Sequence, residues 1–164
     1  MPAVRLYRGD AVSALSKLLQ RTLNLRRKET ERKELPRSAR VGAWGEEQAA
    51  AYLSARGYTV LGRNVRPNRR DELDLVVRQG DTLVFVEVKT RHRETFARPA
   101  RAVNPAKRHA LNRAAVAYLR KARFPDLYYR FDVIEVLGQP EEGEPLIRHL
   151  ENAFSFERRF VFPV

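Results

Sequence analysis

The order of patterns along this chain predicts an α/β fold, a mixed central sheet flanked by helices over residues 38–155, behind a helical N-terminal extension. Three observations carry the prediction. Two segments repeat apolar residues at helical spacing; four others are rich in β-forming residues; and they follow one another as helix, three strands, helix, strand.

The first 37 residues read as a basic helical extension. Val12, Leu15, Leu18, Leu19 and Leu25 recur at helical spacing and run into the charge-dense stretch 26–34, after which Leu35, Pro36, Arg37 and Ser38 mark a boundary. Over residues 39–56, spaced Val41, Trp44, Ala49, Tyr52 and Leu53 predict a helix with one buried face, stopped at Gly57. Residues 58–61 open a strand. Residues 72–78 and 83–89 supply two more, and Gln79-Gly80-Asp81-Thr82 between them is a turn, so the two form a hairpin. Asn104-Pro105 starts a helix that Ala110, Leu111, Ala114, Ala115, Tyr118 and Leu119 carry to about Lys121. Residues 129–136 alternate as a fourth strand, a short edge strand is expected around Ile147, and residues 156–164 form a tail.

Composition bounds the chemistry. With 164 residues the chain is long enough for one well-buried core. No apolar run is long enough to span a bilayer, so a membrane is not expected as a partner, and no secretory signal pattern opens the chain. There is no cysteine, which excludes disulfides, thiolate nucleophiles and thiolate zinc sites and suits a cytoplasmic location. Thirty-two Lys and Arg against 20 Asp and Glu leave a net charge of +12, which favours a polyanionic partner. The excess is local: from Lys89 to Arg123 there are eleven basic residues and one acid, Glu94. His92, His109 and His149 lack zinc-ligand spacing, and no Gly-rich phosphate loop or serine nucleophile with an adjacent base is present.

The hairpin is where charge and burial collide. Glu87 and Lys89, two apart, share a strand face with Phe85, while Val84, Val86 and Val88 take the other. If the loop pairs Gln79 with Thr82, every pair sums to 161 and Asp74 lies across from Glu87, with Cα atoms roughly 4.5 to 5.5 Å apart. Opposed carboxylates in a half-buried sheet repel and are costly to desolvate, so a compensating cation is expected; Mg²⁺ or Mn²⁺ suits such oxygen ligands. The competing account is a plain Glu–Lys or Asp–Lys salt bridge on the sheet. Glu46 shares its helix side with Ala49, Ala50 and Leu53, whereas Glu47 turns toward Ser54, so Glu46 borders the face that packs on the sheet. Its alternative role is that of a first-turn acid favoured by the helix dipole.

Several short motifs occur in register: Gly45-Glu46-Glu47-Gln48-Ala49, Tyr52-Leu53, Gly57-Tyr58, Arg63-Asn64, Glu72-Leu73-Asp74-Leu75-Val76, Val84 through Arg91, and Arg130-Phe131-Asp132-Val133. Over roughly residues 40–155 the chain thereby resembles the YraN family of bacterial proteins, a branch of the PD-(D/E)XK, restriction-endonuclease-like nuclease superfamily similar to archaeal Holliday-junction resolvases. The resemblance implies Asp74 as the central metal-binding aspartate, Glu87 and Lys89 as the paired acid and lysine, and Glu46 as the helical acid. One position departs from the family: Asp71, preceded by Arg69 and Arg70, stands where Gly is usual, an extra acid that bears on substrate approach and metal occupancy.

The expected activity is Mg²⁺- or Mn²⁺-dependent hydrolysis of DNA phosphodiester bonds, with structured or branched DNA among the substrates. Asp74, Glu87, the backbone carbonyl of Val88 and, as a fourth donor, Glu46 would hold the metal, and Lys89 would orient water or stabilise developing charge. Arg91, Arg93, Arg98, Arg101, Lys107 and Arg108 are the expected phosphate contacts. The alternative is a nucleic-acid-binding protein that keeps the fold with little or no catalysis. DNA is favoured over RNA because the aromatic residues are spaced as core, not as a base-stacking platform. Pairing into a homodimer is compatible with the resemblance.

Overall fold

The computed structural model describes residues 4–6, 36–92, 103–123 and 127–157, the first three as backbone only. Six strands form one mixed sheet: β1 (Val4–Leu6), β2 (Thr59–Val65), β3 (Leu73–Gln79), β4 (Thr82–Arg91), β5 (Leu127–Leu137) and β6 (Leu146–Phe154). Helices α1 (Arg37–Ala55) and α2 (Pro105–Lys121) complete the described elements. The order α1-β2-β3-β4-α2-β5 is the predicted one and is consistent with a restriction-endonuclease-like core.

Strands β2, β3 and β4 form an antiparallel meander, and β5 returns parallel to β4 after α2. Parallel neighbours require a crossover, which α2 provides. The far edge of β5 is shared: β1 pairs antiparallel with its first residues, and β6 pairs antiparallel from Phe131 to Leu137. Neither partnership was read from the sequence at this extent. β6 runs nine residues where a short edge strand was expected, and Val4–Leu6 join the sheet although the extension's pattern is helical. The helical spacing at Val12–Leu25 falls outside the described residues.

The two helices cover opposite faces, because strand alternation gives the sheet two apolar sides. Ala49, Ala50 and Leu53 of α1 pack with Leu75, Val77, Val84, Val86, Val88, Ile134 and Val136. Leu111, Ala114, Ala115 and Tyr118 of α2 pack with Val76, Leu83, Phe85, Phe131 and Val133. Phe85 and Val84–Val86–Val88 therefore divide between the layers as their parity dictates. α1 ends at Gly57, whose φ of 83° is the left-handed stop; its N–H bonds Ser54 O and the Tyr58 N–H bonds Leu53 O. α2 begins at Asn104, whose Oδ1 accepts the Lys107 N–H at 2.8 Å, with Pro105 in the first turn.

Candidate metal and nucleic acid site

The hairpin register follows from the loop. Gln79 pairs with Thr82 and Leu75 with Val86, and Gly80 at φ 54° supplies the left-handed position that a two-residue connection demands. Continuing the sum of 161 brings Asp74 opposite Glu87, and both face the α2 layer with Val76 and Phe85. The main chain fixes the geometry: the Val88 N–H donates to Asp74 Oδ2 at 2.8 Å. Asp74 thus lies against the backbone of the residue whose carbonyl is the third expected oxygen.

Glu87 is almost fully buried, at 2% exposure. Its Oε1 is 2.7 Å from Lys89 Nζ, and its Oε2 is 3.1 Å from Lys107 Nζ on α2. The second contact is an ion pair that leaves Oε2 without a well-aligned hydrogen bond. Burial pushes the Asp74 carboxyl up to about 7; the charges of Glu87 and Glu46 add to the rise, while the Val88 N–H and Lys107 oppose it. Burial alone would pull the Lys107 ammonium down, but the charge and close approach of Glu87, with the charges of Asp74 and Glu72, outweigh it and the net shift is upward.

Glu46 comes from the opposite layer. α1 approaches β4 so closely at Gly45 that a Cβ there would overlap Thr90 Oγ1, and this places the next residue at the end of the strand that carries Glu87 and Lys89. Glu46 is half-buried and Glu47 exposed, as the helical geometry required. The first-turn alternative falls: α1 begins at Arg37, its first turn holds no acid, and Glu46 is mid-helix.

The remaining predicted residues separate. Lys107 turns to Glu87. Arg108 Nε donates to Val103 O at 2.8 Å and its guanidinium lies over the Phe154 ring at 5.4 Å, which ties it to the base of α2. Arg91 Nε is 3.1 Å from Glu135 Oε1. Arg93, Arg98 and Arg101 lie outside the described residues.

One feature escaped the sequence. Glu135 of β5, paired with Lys89 in the parallel register, is 1% exposed and takes Arg91 on one oxygen and Arg148, at 3.7 Å, on the other. Its signal was a lone acid inside Val133-Ile134-Glu135-Val136-Leu137, but only the β4–β5 pairing brings it beside the site. Asp71, the departure from the family, does not enter the acidic pair. Its Oδ2 accepts from Arg113 Nε at 2.8 Å and from Asn68 Nδ2 at 2.9 Å, and its Oδ1 pairs with Arg113 Nη2.

The donor set suits a hard divalent cation: a buried carboxylate on Glu87, half-buried ones on Asp74 and Glu46, a main-chain carbonyl, and one oxygen, Glu87 Oε2, buried without a well-aligned hydrogen bond. Among the described residues no group of three or more His, Cys, Asp or Glu side chains converges into a cage. Two carboxylates suffice for Mg²⁺ or Mn²⁺, which keep several waters, but not for a Ca²⁺ site built wholly from protein.

Comparison with known proteins places the chain by sequence. A model of "Uncharacterised protein family UPF0102" matches residues 45–136, the stretch that carries Glu46, Asp74, Glu87 and Lys89. A UPF0102 protein of Syntrophomonas wolfei is 46% identical over 116 residues, 70% of this chain and 96% of the relative. Another, from Symbiobacterium thermophilum, is 44% identical over 117 residues, 71% of this chain and 98% of its own. A third, from Geobacter sulfurreducens, is 43% identical over 114 residues, covering 70% and 88%.

Proposed function

The chain belongs to the uncharacterised protein family UPF0102, the YraN family, and from that premise we propose that it is a metal-dependent nuclease that hydrolyses DNA phosphodiester bonds. One observation carries the reading: Asp74 is bonded to the Val88 N–H across from a nearly buried Glu87 that also faces Lys89, in an α/β core of the matching element order.

Asp74, Glu87 and the Val88 carbonyl would hold Mg²⁺ or Mn²⁺, with Glu46 near enough for its charge to reach Asp74. The chemistry supplied by such a cation is polarisation of the phosphoryl group and a more acidic water. The chain's own groups do the rest. Lys89, two residues from Glu87 on the same face, orients the attacking water or stabilises charge that develops on the phosphate. Glu46 holds water at the mouth from the α1 side. The surplus of positive charge draws the polyanion and positions its backbone without reading sequence.

The test is cleavage of linear and branched DNA with Mg²⁺ or Mn²⁺. EDTA abolishes it, and Asp74→Ala lowers it by roughly 10²-fold or more. Cleavage indifferent to both would sink the reading.

A second reading is a DNA-binding protein with little or no hydrolysis. It is favoured by the two ammoniums on Glu87, which balance its charge without any metal. On this reading Asp74→Ala and Glu87→Ala bind DNA as the wild type does, and none of the three cleaves it.

A further inference from the structure

We propose that Lys107 is a displaceable counter-ion: its ammonium balances Glu87 in the cation-free protein and swings toward the phosphate when a divalent cation takes the acidic pair. The inference rests on the reading of Asp74 and Glu87 as cation ligands.

The position of Lys107 is the first argument. It is the third residue of α2, at the helix end whose dipole disfavours a cation, so its placement there calls for a compensating partner. That partner is a carboxylate on another element, 3.1 Å away and 2% exposed.

The two lysines on Glu87 are not equivalent. Lys89 belongs to the same strand and meets Oε1 at 2.7 Å. Lys107 reaches over from another element and stands farther, 3.1 Å from Oε2, without a well-aligned hydrogen bond; both side chains are about one-third exposed, Lys107 at 37% and Lys89 at 32%. Its contact is the longer of the two, and it is the one that can be given up without moving the strand that carries Glu87.

Charge balance supplies the reason to leave. With the acids ionised, Asp74, Glu87 and the nearby Glu46 carry three negative charges against the two positive ones of Lys89 and Lys107. A divalent cation therefore turns one net negative charge into one net positive charge, an excess that the departure of one ammonium removes. Moving one ammonium a few ångströms relieves the repulsion, and an incoming phosphodiester provides the new partner for a long, flexible side chain. Lys107 thus couples entry of the cation to capture of the substrate, which goes beyond the general phosphate contact expected of a basic residue on α2.

The experiment is Mn²⁺ binding to the full chain, followed by calorimetry and by the Mn²⁺ paramagnetic resonance signal, with no DNA present. Lys107→Met removes the competitor and tightens Mn²⁺ binding by roughly tenfold or more, whereas Lys107→Arg stays near the wild type. In the wild-type protein, amine labelling resolved by peptide mass spectrometry gives a second readout that needs no variant: adding Mn²⁺ raises the reactivity of Lys107 and leaves that of Lys89 unchanged. Equal Mn²⁺ affinity of wild type and Lys107→Met, or unchanged Lys107 labelling with Mn²⁺ bound, overturns the counter-ion role and leaves the nuclease reading standing. Absence of Mn²⁺ binding in the wild type, indistinguishable from Asp74→Ala, overturns both.

Discussion

Asp71 stands three residues before Asp74, yet its oxygens face away from the acidic pair, toward Arg113 of α2 and Asn68 of its own loop. Asn68 completes the arrangement by accepting the Arg70 and Asp71 N–H groups on Oδ1 at 2.8 Å each. The residue therefore fastens the loop before β3 to the helix that carries Lys107, and its carboxyl is held below the ordinary 3.8, chiefly by the Arg113 hydrogen bond against the opposing effect of burial. A depressed carboxylate stabilises the fold above its unfolded pKa, and that contribution is lost as pH falls through the folded value. Asp71→Asn is accordingly less stable than the wild type at pH 7, and the gap closes as pH drops below about 4. Urea melts at pH 7 and pH 3 check this; a gap of constant size would mean that the ionised carboxylate is not what matters. Asp71 lies close beneath the surface and Arg113 is well exposed, so solvent screening keeps the effect modest.

Among the elements, α1 depends on one glycine. An alanine at Gly45 would meet Thr90 Oγ1 within contact distance and Thr90 Cβ at 3.0 Å, so the helix must move off β4 or the strand must yield. Gly→Ala would otherwise favour a helix interior by up to ~1 kcal/mol. Overpacking costs about 1–3 kcal/mol and wins, so Gly45→Ala is destabilised, and Thr90→Ala in the same chain recovers part of the loss by removing the nearer atom. On the nuclease reading cleavage falls as well, because Glu46 moves with the helix. A Gly45→Ala protein as stable as the wild type would disprove the close approach. At the other edge, β6 is pinned by Asp132, which is fully buried between Arg130, at 3.0 Å, and His149, at 2.8 Å, and accepts the Asn152 N–H at 2.9 Å. Asp132→Ala leaves that cluster without its anion and costs about 3–5 kcal/mol, measured by denaturant unfolding, with Mn²⁺ binding intact once folded. These two elements mark what the sequence could tell. The hairpin register was legible because loop length alone fixes it, and with it the opposition of Asp74 and Glu87. The extent of β6 was not, because its charged residues hide its alternation and its anchor is a buried Asp on another strand. The direction of Lys107 was not, because it depends on how far α2 slides over the sheet.

At the scale of the whole molecule, net charge becomes a measurable slope. A chain of charge +12 binding a polyanion releases counter-ions, and log affinity falls with log salt by roughly 0.9 per phosphate neutralised on duplex DNA. Contact with about six phosphates gives a slope near −5 and a loss of about 10³ in affinity between 50 and 200 mM salt. The charge map makes the prediction sharper than the total does. Arg108 is bonded to Val103 O and Arg91 and Arg148 are drawn to Glu135, so these cations are partly committed within the fold. Lys107 is also committed while no cation is bound. Its contribution to the slope should then depend on metal. With Mn²⁺ present, Lys107→Gln makes the slope shallower by about 1; with EDTA the same substitution changes it little. Fluorescence anisotropy with a labelled duplex across a salt series, run on the wild type and Lys107→Gln in both conditions, measures the four slopes. A slope near zero in the wild type would remove nucleic acid as the partner. A difference of the same size with and without metal would make Lys107 a fixed phosphate contact on α2.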